Sequence, residues 1–322
     1  MSKISDVAKE AGVSNATVSR YFNGGYLSEE KRIKVKEAID KLSYRPNAIA
    51  RALNMKSTKI IGFIIPSIMN SFFPELCKSV EDTMSKQGYN IMLCSAEGET
   101  EKEKEFINVL CSNQVDGIIT ATGNCGDTYS QIHIPVVSID RQINTVGIHI
   151  GADNYKGGKL AAEHLYDCGC KKVVFIGALC ESESQKSRRI GFLEKSNELS
   201  MNAVSIFTAS EDVRGAIDGI ILDLKNFDGI FAWNDNVAME VLKAFHHAEI
   251  KIPQDIQLIG FDNTYISNVC IPSITTIAQN IYEMGRIAAQ ILIKRISEKE
   301  DFKKQVIVDV NLVKRETTLS PK

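Results

Sequence analysis

The first sixty residues carry apolar positions at helical spacing. Ile4, Val7, Ala8 and Ala11 recur at i, i+3, i+4 and i+7, one buried face of a helix. Gly12-Val13 interrupts the pattern, and Ser14 then offers an N-cap for a second helix that turns Val18, Tyr21 and Phe22 inward. Asn23-Gly24-Gly25 ends that helix. Ser28 caps a third, with Glu29 and Glu30 at the positive end of the helix dipole. Its inward face is Val35, Ala38, Ile39 and Leu42, and it must stop before Pro46. Helix, tight turn, helix, loop, helix is the smallest self-supporting DNA-reading unit, although other three-helix units share the pattern.

Beyond residue 60 the period changes. Short apolar runs (IIGFII, NIMLC, DGIITAT, VVSID, KVVFIG, VSIFTA, DGIFAWN, IQLIGFD) alternate with longer amphipathic stretches. Several runs are continuous and β-branched, as in strands covered on both faces by helices, which predicts doubly wound parallel α/β sheets. About 260 residues is roughly twice what one such sheet needs, so two lobes are expected. Asp116-Gly117-Ile118-Ile119 and Asp228-Gly229-Ile230-Phe231 repeat one motif after an amphipathic helix, consistent with similar lobes.

Composition adds a partner. Residues 1–59 hold 12 Lys/Arg against 6 Asp/Glu, whereas the remainder holds 26 against 34. A basic head on an acidic body points to a polyanion bound by the head. The start MSKISDVAKEAG lacks the apolar core of a signal peptide, and no apolar run approaches the roughly 20 residues of a membrane span. Eight scattered cysteines form no C-x-x-C pair and read as free thiols of a reducing, cytoplasmic setting. Phosphate-loop glycines, metal-ligand clusters and nucleophile elbows are missing from the sequence, so neither catalysis nor a cofactor is expected.

The string IxDVAKEAGVSNATVSRYFN, residues 4–23, closely resembles the helix-turn-helix signature of the lactose/galactose repressor family. Further matches follow in order: Tyr44-x-Pro46-Asn47, Ala50-Arg51-Ala52-Leu53, Ile61-Gly62, VDGII at 115–119, Asp153-Asn154-Tyr155-x-Gly157-Gly158, Asn234-Asp235, Ile259-Gly260-Phe261-Asp262-Asn263 and Thr275-Thr276-Ile277. The resemblance implies a helix-turn-helix head (1–46), a hinge (47–58) and a body (59–322) of two doubly wound parallel-sheet lobes like periplasmic sugar-binding proteins. The first lobe would hold about 59–150 and 280–305, the second about 151–279 and 306–322.

By that match, Asn15, Ala16 and Arg20 read bases from the open side of the second helix, where arginine suits guanine and asparagine suits adenine. Ser14, Thr17 and Asn23 are phosphate contacts or helix caps. Residues 47–55, with Arg51 and Leu53, match the family's hinge helix, in which the leucine wedges into the minor groove; an ordinary linker is the alternative. Ligand candidates lie at strand ends: Asp140, Asn234, Asp235 and Asp262. Arg188, or Arg189 if the register of GALCESESQKSR shifts, matches the ligand-gripping arginine, and Phe72 and Phe73 match an aromatic platform in the loop after the first strand. The implied function is a homodimeric repressor on operator DNA, released by a sugar effector, with a slight likeness to regulators of sucrose operons. A corepressor-dependent regulator is the alternative within the family, and a soluble sugar receptor or sugar-processing enzyme the rival outside it.

Overall fold

The computed structural model describes residues 2–22, 24–45, 52, 57–123, 125–143, 147–208, 213–298 and 304–321. They divide into a head, residues 1–58, and a body, residues 59–322.

The head contains α1 (Ile4–Glu10), α2 (Asn15–Phe22) and α3 (Glu29–Leu42). Val7, Ala8, Ala11, Val18, Val35 and Ala38 form its buried centre, with Tyr21, Phe22, Ile39 and Leu42 packed around them. Gly12 takes a left-handed φ of 65° at the turn between α1 and α2. Ser28 occupies the N-cap position of α3, but its hydroxyl makes no capping bond, leaving Glu29 and Glu30 to complement the helix dipole. Ser43, at φ 46°, ends α3 three residues before Pro46.

In the body, β1 (Ile60–Ile65), β2 (Asn90–Ser95), β3 (Gly117–Thr120), β4 (Val136–Ile139), β5 (Ile148–Ala152) and β11 (Lys304–Val308) build a parallel sheet in the order β11-β5-β4-β3-β1-β2. The second sheet is β12-β10-β9-β8-β6-β7, from β6 (Lys172–Ala178), β7 (Asn202–Thr208), β8 (Gly229–Ala232), β9 (Gln257–Asp262), β10 (Thr275–Gln279) and β12 (Val310–Val313). The same winding order appears twice, except that β12 runs antiparallel to β10. The chain crosses between lobes at Asp153, Asn280 and Asp309. The last crossing falls beyond residue 305 because β11 pairs with β5 through Val308.

The helices follow these strands: α4 (Phe72–Ser85), α5 (Thr100–Ser112) and α6 (Gly126–Ser130), with α12 (Ile281–Glu298), serve the first lobe. α7 (Asn154–Asp167), α8 (Glu183–Glu198), α9 (Val213–Leu222), α10 (Asp235–His247) and α11 (Tyr265–Val269) serve the second. Central strands β1, β3, β4, β8 and β9 are buried on both faces, while the edge strands β2 and β7 are only partly covered.

The repeated Asp-Gly-Ile motif has the same physical use in each lobe. Asp116 accepts the Lys59 N–H (3.3 Å) beside β1, and Asp228 accepts the N–H groups of Lys171 and Lys172 (2.8 and 2.9 Å) beside β6. The glycine then lets an apolar neighbour approach: a Cβ on Gly117 would lie 2.9 Å from Leu292 Cδ1, and one on Gly229 3.1 Å from Leu165 Cδ2. Each motif therefore pins the start of its lobe's first strand to the neighbouring strand.

His164 on α7 is 3% exposed, with its Nε2 2.9 Å from Thr318 Oγ1 near the C-terminus. Burial, helped by the Lys314 charge, lowers its pKa from 6.5 to about 4. Between those values the unfolded chain binds more protons than the folded one, so this contribution is present above about pH 6.5 and lost as pH falls toward 4. His164→Gln should therefore lose less stability than wild type between about pH 7 and pH 5 in urea titrations. Identical losses would remove His164 from the acid response.

Candidate ligand cleft and DNA-reading face

The carboxyl ends of both sheets open on one cleft, the place where open α/β sheets hold their ligands. Asn70, Phe72, Phe73, Asp140 and Arg141 line it from the first lobe; Ser182, Ser184, Gln185, Arg188, Trp233, Asn234, Asp262 and Gln279 line it from the second. Of the seven ligand candidates read from the sequence, Phe72, Phe73, Asp140, Arg188, Asn234 and Asp262 line this cleft, and Asp235 does not.

Phe72 and Phe73 are the first two residues of α4 rather than loop residues. Asn70 Oδ1 accepts the Phe72 N–H at 3.0 Å and helps fix this helix start. The two rings meet edge to face, centroids 5.2 Å apart, and are 3% and 6% exposed. They combine packing with lining, since their outer edges remain at the cleft. Asp140 follows β4 in the left-handed region, φ 62°, its N–H bonded to Ile150 O at 2.9 Å.

Arg188 and Arg189 separate cleanly. Arg188 Nε donates to Asn154 Oδ1 (2.6 Å), Nη1 donates to Trp233 O (2.7 Å), and the guanidinium stacks 3.7 Å from the Phe261 ring centroid. Arg189 is turned away, its Nε 3.0 Å from each carboxylate oxygen of Glu181 and its guanidinium over Phe207. Successive residues on a helix point about 100° apart, so only one can enter the cleft.

Asp262 ends β9 at φ 105° and accepts Gln279 Nε2 at 2.6 Å. Arg188 Nη1 stands 3.7 Å from Asp262 Oδ1, too far for a direct hydrogen bond. Burial pushes the Asp262 carboxyl well above the usual carboxylate range, opposed by Arg188 and reinforced by the charge of Asp235. Among the described residues, six buried side-chain polar atoms lack a partner; Asp140 Oδ1, Arg141 Nε and Gln279 Oε1 belong to residues lining this cleft. Two acceptors and one donor without partners thus sit on residues that line the same cleft.

Two strand-end candidates have structural employment. Asn234 lines the cleft and also caps α10, its Oδ1 accepting the Val237 N–H at 2.9 Å. Asp235 does not line it. That carboxylate is fully buried and takes the Thr264 N–H (2.8 Å), the Thr264 hydroxyl (3.2 Å) and the Thr276 hydroxyl (2.6 Å). Burial raises its pKa to about 6 despite those bonds. Gly260 makes the room, since a Cβ there would stand 2.4 Å from Asp235 Oδ1.

On the head, Asn15, Ala16 and Arg20 are exposed along α2 while Val18 is buried beneath them. Ser14 Oγ accepts the Thr17 N–H at 3.2 Å and lies 2.9 Å from Thr17 Oγ1, so these two residues cap α2. Asn23, Arg51 and Leu53, with nearly all of the expected hinge 47–55, lie outside the described residues.

Residues 3–47 match the lacI family of bacterial regulatory proteins, and residues 162–318 match the periplasmic binding protein-like domain. A ribose operon repressor of Halalkalibacterium halodurans is 38% identical over 322 residues, covering 99% of this chain and 97% of that one. The chain belongs to the LacI family. A sucrose operon repressor of Streptococcus mutans is 34% identical over 98% of this chain and 99% of its own. A periplasmic binding protein/LacI transcriptional regulator from Alkaliphilus metalliredigens, complexed with D-xylulofuranose, superposes with a TM-score of 0.76 at 35% identity, over 81% of this chain and all of that one. As a LacI-family protein the chain is a DNA-binding transcriptional repressor and not an enzyme.

Within this LacI-family body, sequence inspection missed Arg141, Gln279 and Asn154. Gln279 closes β10 and falls under the same strand-end rule that selected Asp262. Asn154 was legible only as part of Asp153-Asn154-Tyr155-x-Gly157-Gly158, whose physical use is to seat Arg188. Asp153 caps α7 through the Lys156 N–H (2.9 Å), Asn154 holds the guanidinium, and the glycines let α7 and α8 touch through their backbones. A Cβ on Gly158 would lie 2.0 Å from Arg188 O and 2.7 Å from Phe192 N. Gly158→Ala must part the two helices, at a cost of about 1–3 kcal/mol. Thermal unfolding should show that loss, and calorimetry a weakened cleft ligand, because Arg188 moves with α8. Wild-type values for both would contradict the packing.

Proposed function

We propose that this repressor controls a carbohydrate-utilisation operon and leaves its operator when a neutral, five-carbon sugar occupies the cleft. The observation that carries this is the trio of buried, unpaired polar atoms on Asp140, Arg141 and Gln279. Each unsatisfied group costs about 1–3 kcal/mol, and a sugar hydroxyl cancels both kinds of deficit because it donates and accepts. Phe72 and Phe73 offer an apolar edge for the carbon face of such a ring. The lining mixes two acids, Asp140 and Asp262, with two guanidiniums, Arg141 and Arg188, so it presents no single sign of charge to a ligand. Five carbons are favoured by the ribose operon repressor and by the relative complexed with D-xylulofuranose.

Asn15, Ala16 and Arg20 would read bases and Ser14, Thr17 and Asn23 would meet phosphates, the first two while capping α2. Arg51 and Leu53 would act in a hinge that orders on the operator of a homodimer. The eight cysteines carry free thiols and no described helix is long and apolar enough to cross a membrane, which supports action in the cytoplasm.

A thermal-shift panel of ribose, xylulose, glucose and sucrose tests the ligand class. A pentose at about 100 times its dissociation constant should add roughly 2.7 kcal/mol. Trp233, the only tryptophan, lines the cleft and should change its emission on binding. Asp262→Ala should abolish the pentose response while operator affinity stays near wild type. Stabilisation by sucrose alone would replace the pentose, and silence to every sugar would sink the effector reading. Operator affinity measured with and without the sugar decides between release and corepression; tighter binding with sugar would overturn release.

A further inference from the structure

We propose that Gly25 positions the Arg20 side chain and so helps determine which operator sequence is read. This rests on Arg20 contacting bases. The turn after α2 contains two adjacent glycines with different reasons to be glycine. Gly24 has φ 68°, and a Cβ there would meet nothing within 4 Å, so its requirement is conformational. Gly25 lies outside the left-handed region, yet a Cβ there would stand 2.4 Å from Arg20 Cγ and 3.3 Å from Cδ. Its requirement is steric. The Gly25 N–H donates to Arg20 O at 3.0 Å, which folds the turn back over the last turn of α2. The aliphatic stem of Arg20 then occupies the notch left by the missing side chain.

The position of Cγ is set by χ1 alone, so a methyl at residue 25 cannot be accommodated by bending the far end of the arginine. It requires another χ1 rotamer or a shifted turn, and helical residues have few χ1 alternatives. Either change redirects the guanidinium. Bidentate recognition of a base edge depends on that direction, whereas a phosphate contact tolerates displacement. Gly25 is therefore a positioning residue for the base-reading arginine.

The test uses the full chain and a duplex selected by the wild-type protein from a randomised pool. Gly25→Ala, Arg20→Ala, the double variant and Gly24→Ala are compared for affinity to the selected duplex and to random duplex, and for the base each selects. Gly25→Ala should reduce the preference for the selected duplex by about tenfold and alter the base chosen where Arg20→Ala loses selectivity. In the Arg20→Ala background it should add nothing, because its effect runs through that side chain. Gly24→Ala, strained at its φ, should lower thermal stability and affinity for all DNA without altering the chosen base. Wild-type selectivity in Gly25→Ala, or an additive loss in the double variant, overturns the proposal. Undiminished selectivity in Arg20→Ala overturns the base-reading role itself, and the proposal with it.

Discussion

A guanidinium that is 4% exposed must be held on every side, and the placement of Arg188 constrains much of the second lobe. Asn154 Oδ1 and the Trp233 carbonyl accept its hydrogen bonds, and Phe261 receives its face. Each partner comes from a different element: the start of α7, the end of β8 and the end of β9. Gly158 and Gly191 allow α7 and α8 to approach; a Cβ on Gly191 would lie 2.1 Å from Tyr155 O. Removing one partner of a buried charge is costly, because the remaining charge stays out of water. The motifs around Asp153, Trp233 and Phe261 are thus parts of one clamp.

Asp262 completes that clamp only partly. At 3.7 Å it is near enough to feel the Arg188 charge and too far to bond it directly, so burial still dominates its protonation. Across the cleft Asp140 is held in a left-handed conformation with one oxygen unpaired. Left-handed non-glycine residues cost of order 1–3 kcal/mol and tend to cluster at binding sites. Here Asp140 and Asp262 both carry positive φ at strand ends of opposing lobes. The two acids therefore stand at matching places of the two lobes, each in a strained backbone conformation at the cleft lining.

Much of this was legible beforehand, for identifiable reasons. Strand-end placement and family order located Asp140, Asn234 and Asp262, because open α/β sheets leave their carboxyl ends uncovered. The same rule overreached at Asp235, where two threonines distant in sequence, Thr264 and Thr276, supply the bonds that bury it. Arg188 and Arg189 could not be told apart from a loop of unknown register; the capping box of Ser182 and Gln185 starts α8 and fixes it. Phe72 and Phe73 read as loop because nothing in their own pattern announces a helix start, which Asn70 helps to set through the Phe72 N–H. The contrast between Gly24 and Gly25 is invisible in sequence, since both glycines look like turn residues until the Arg20 stem is placed.

The clamp on Arg188 is tested most directly by calorimetric titration of pentose into Arg188→Lys. Lysine keeps the charge but cannot hold Asn154 and the Trp233 carbonyl in a fixed planar fork, nor stack flat on Phe261. The sugar affinity should fall about tenfold or more, while operator binding in the absence of sugar persists. Sugar affinity within about twofold of wild type would contradict a cleft organised around that guanidinium.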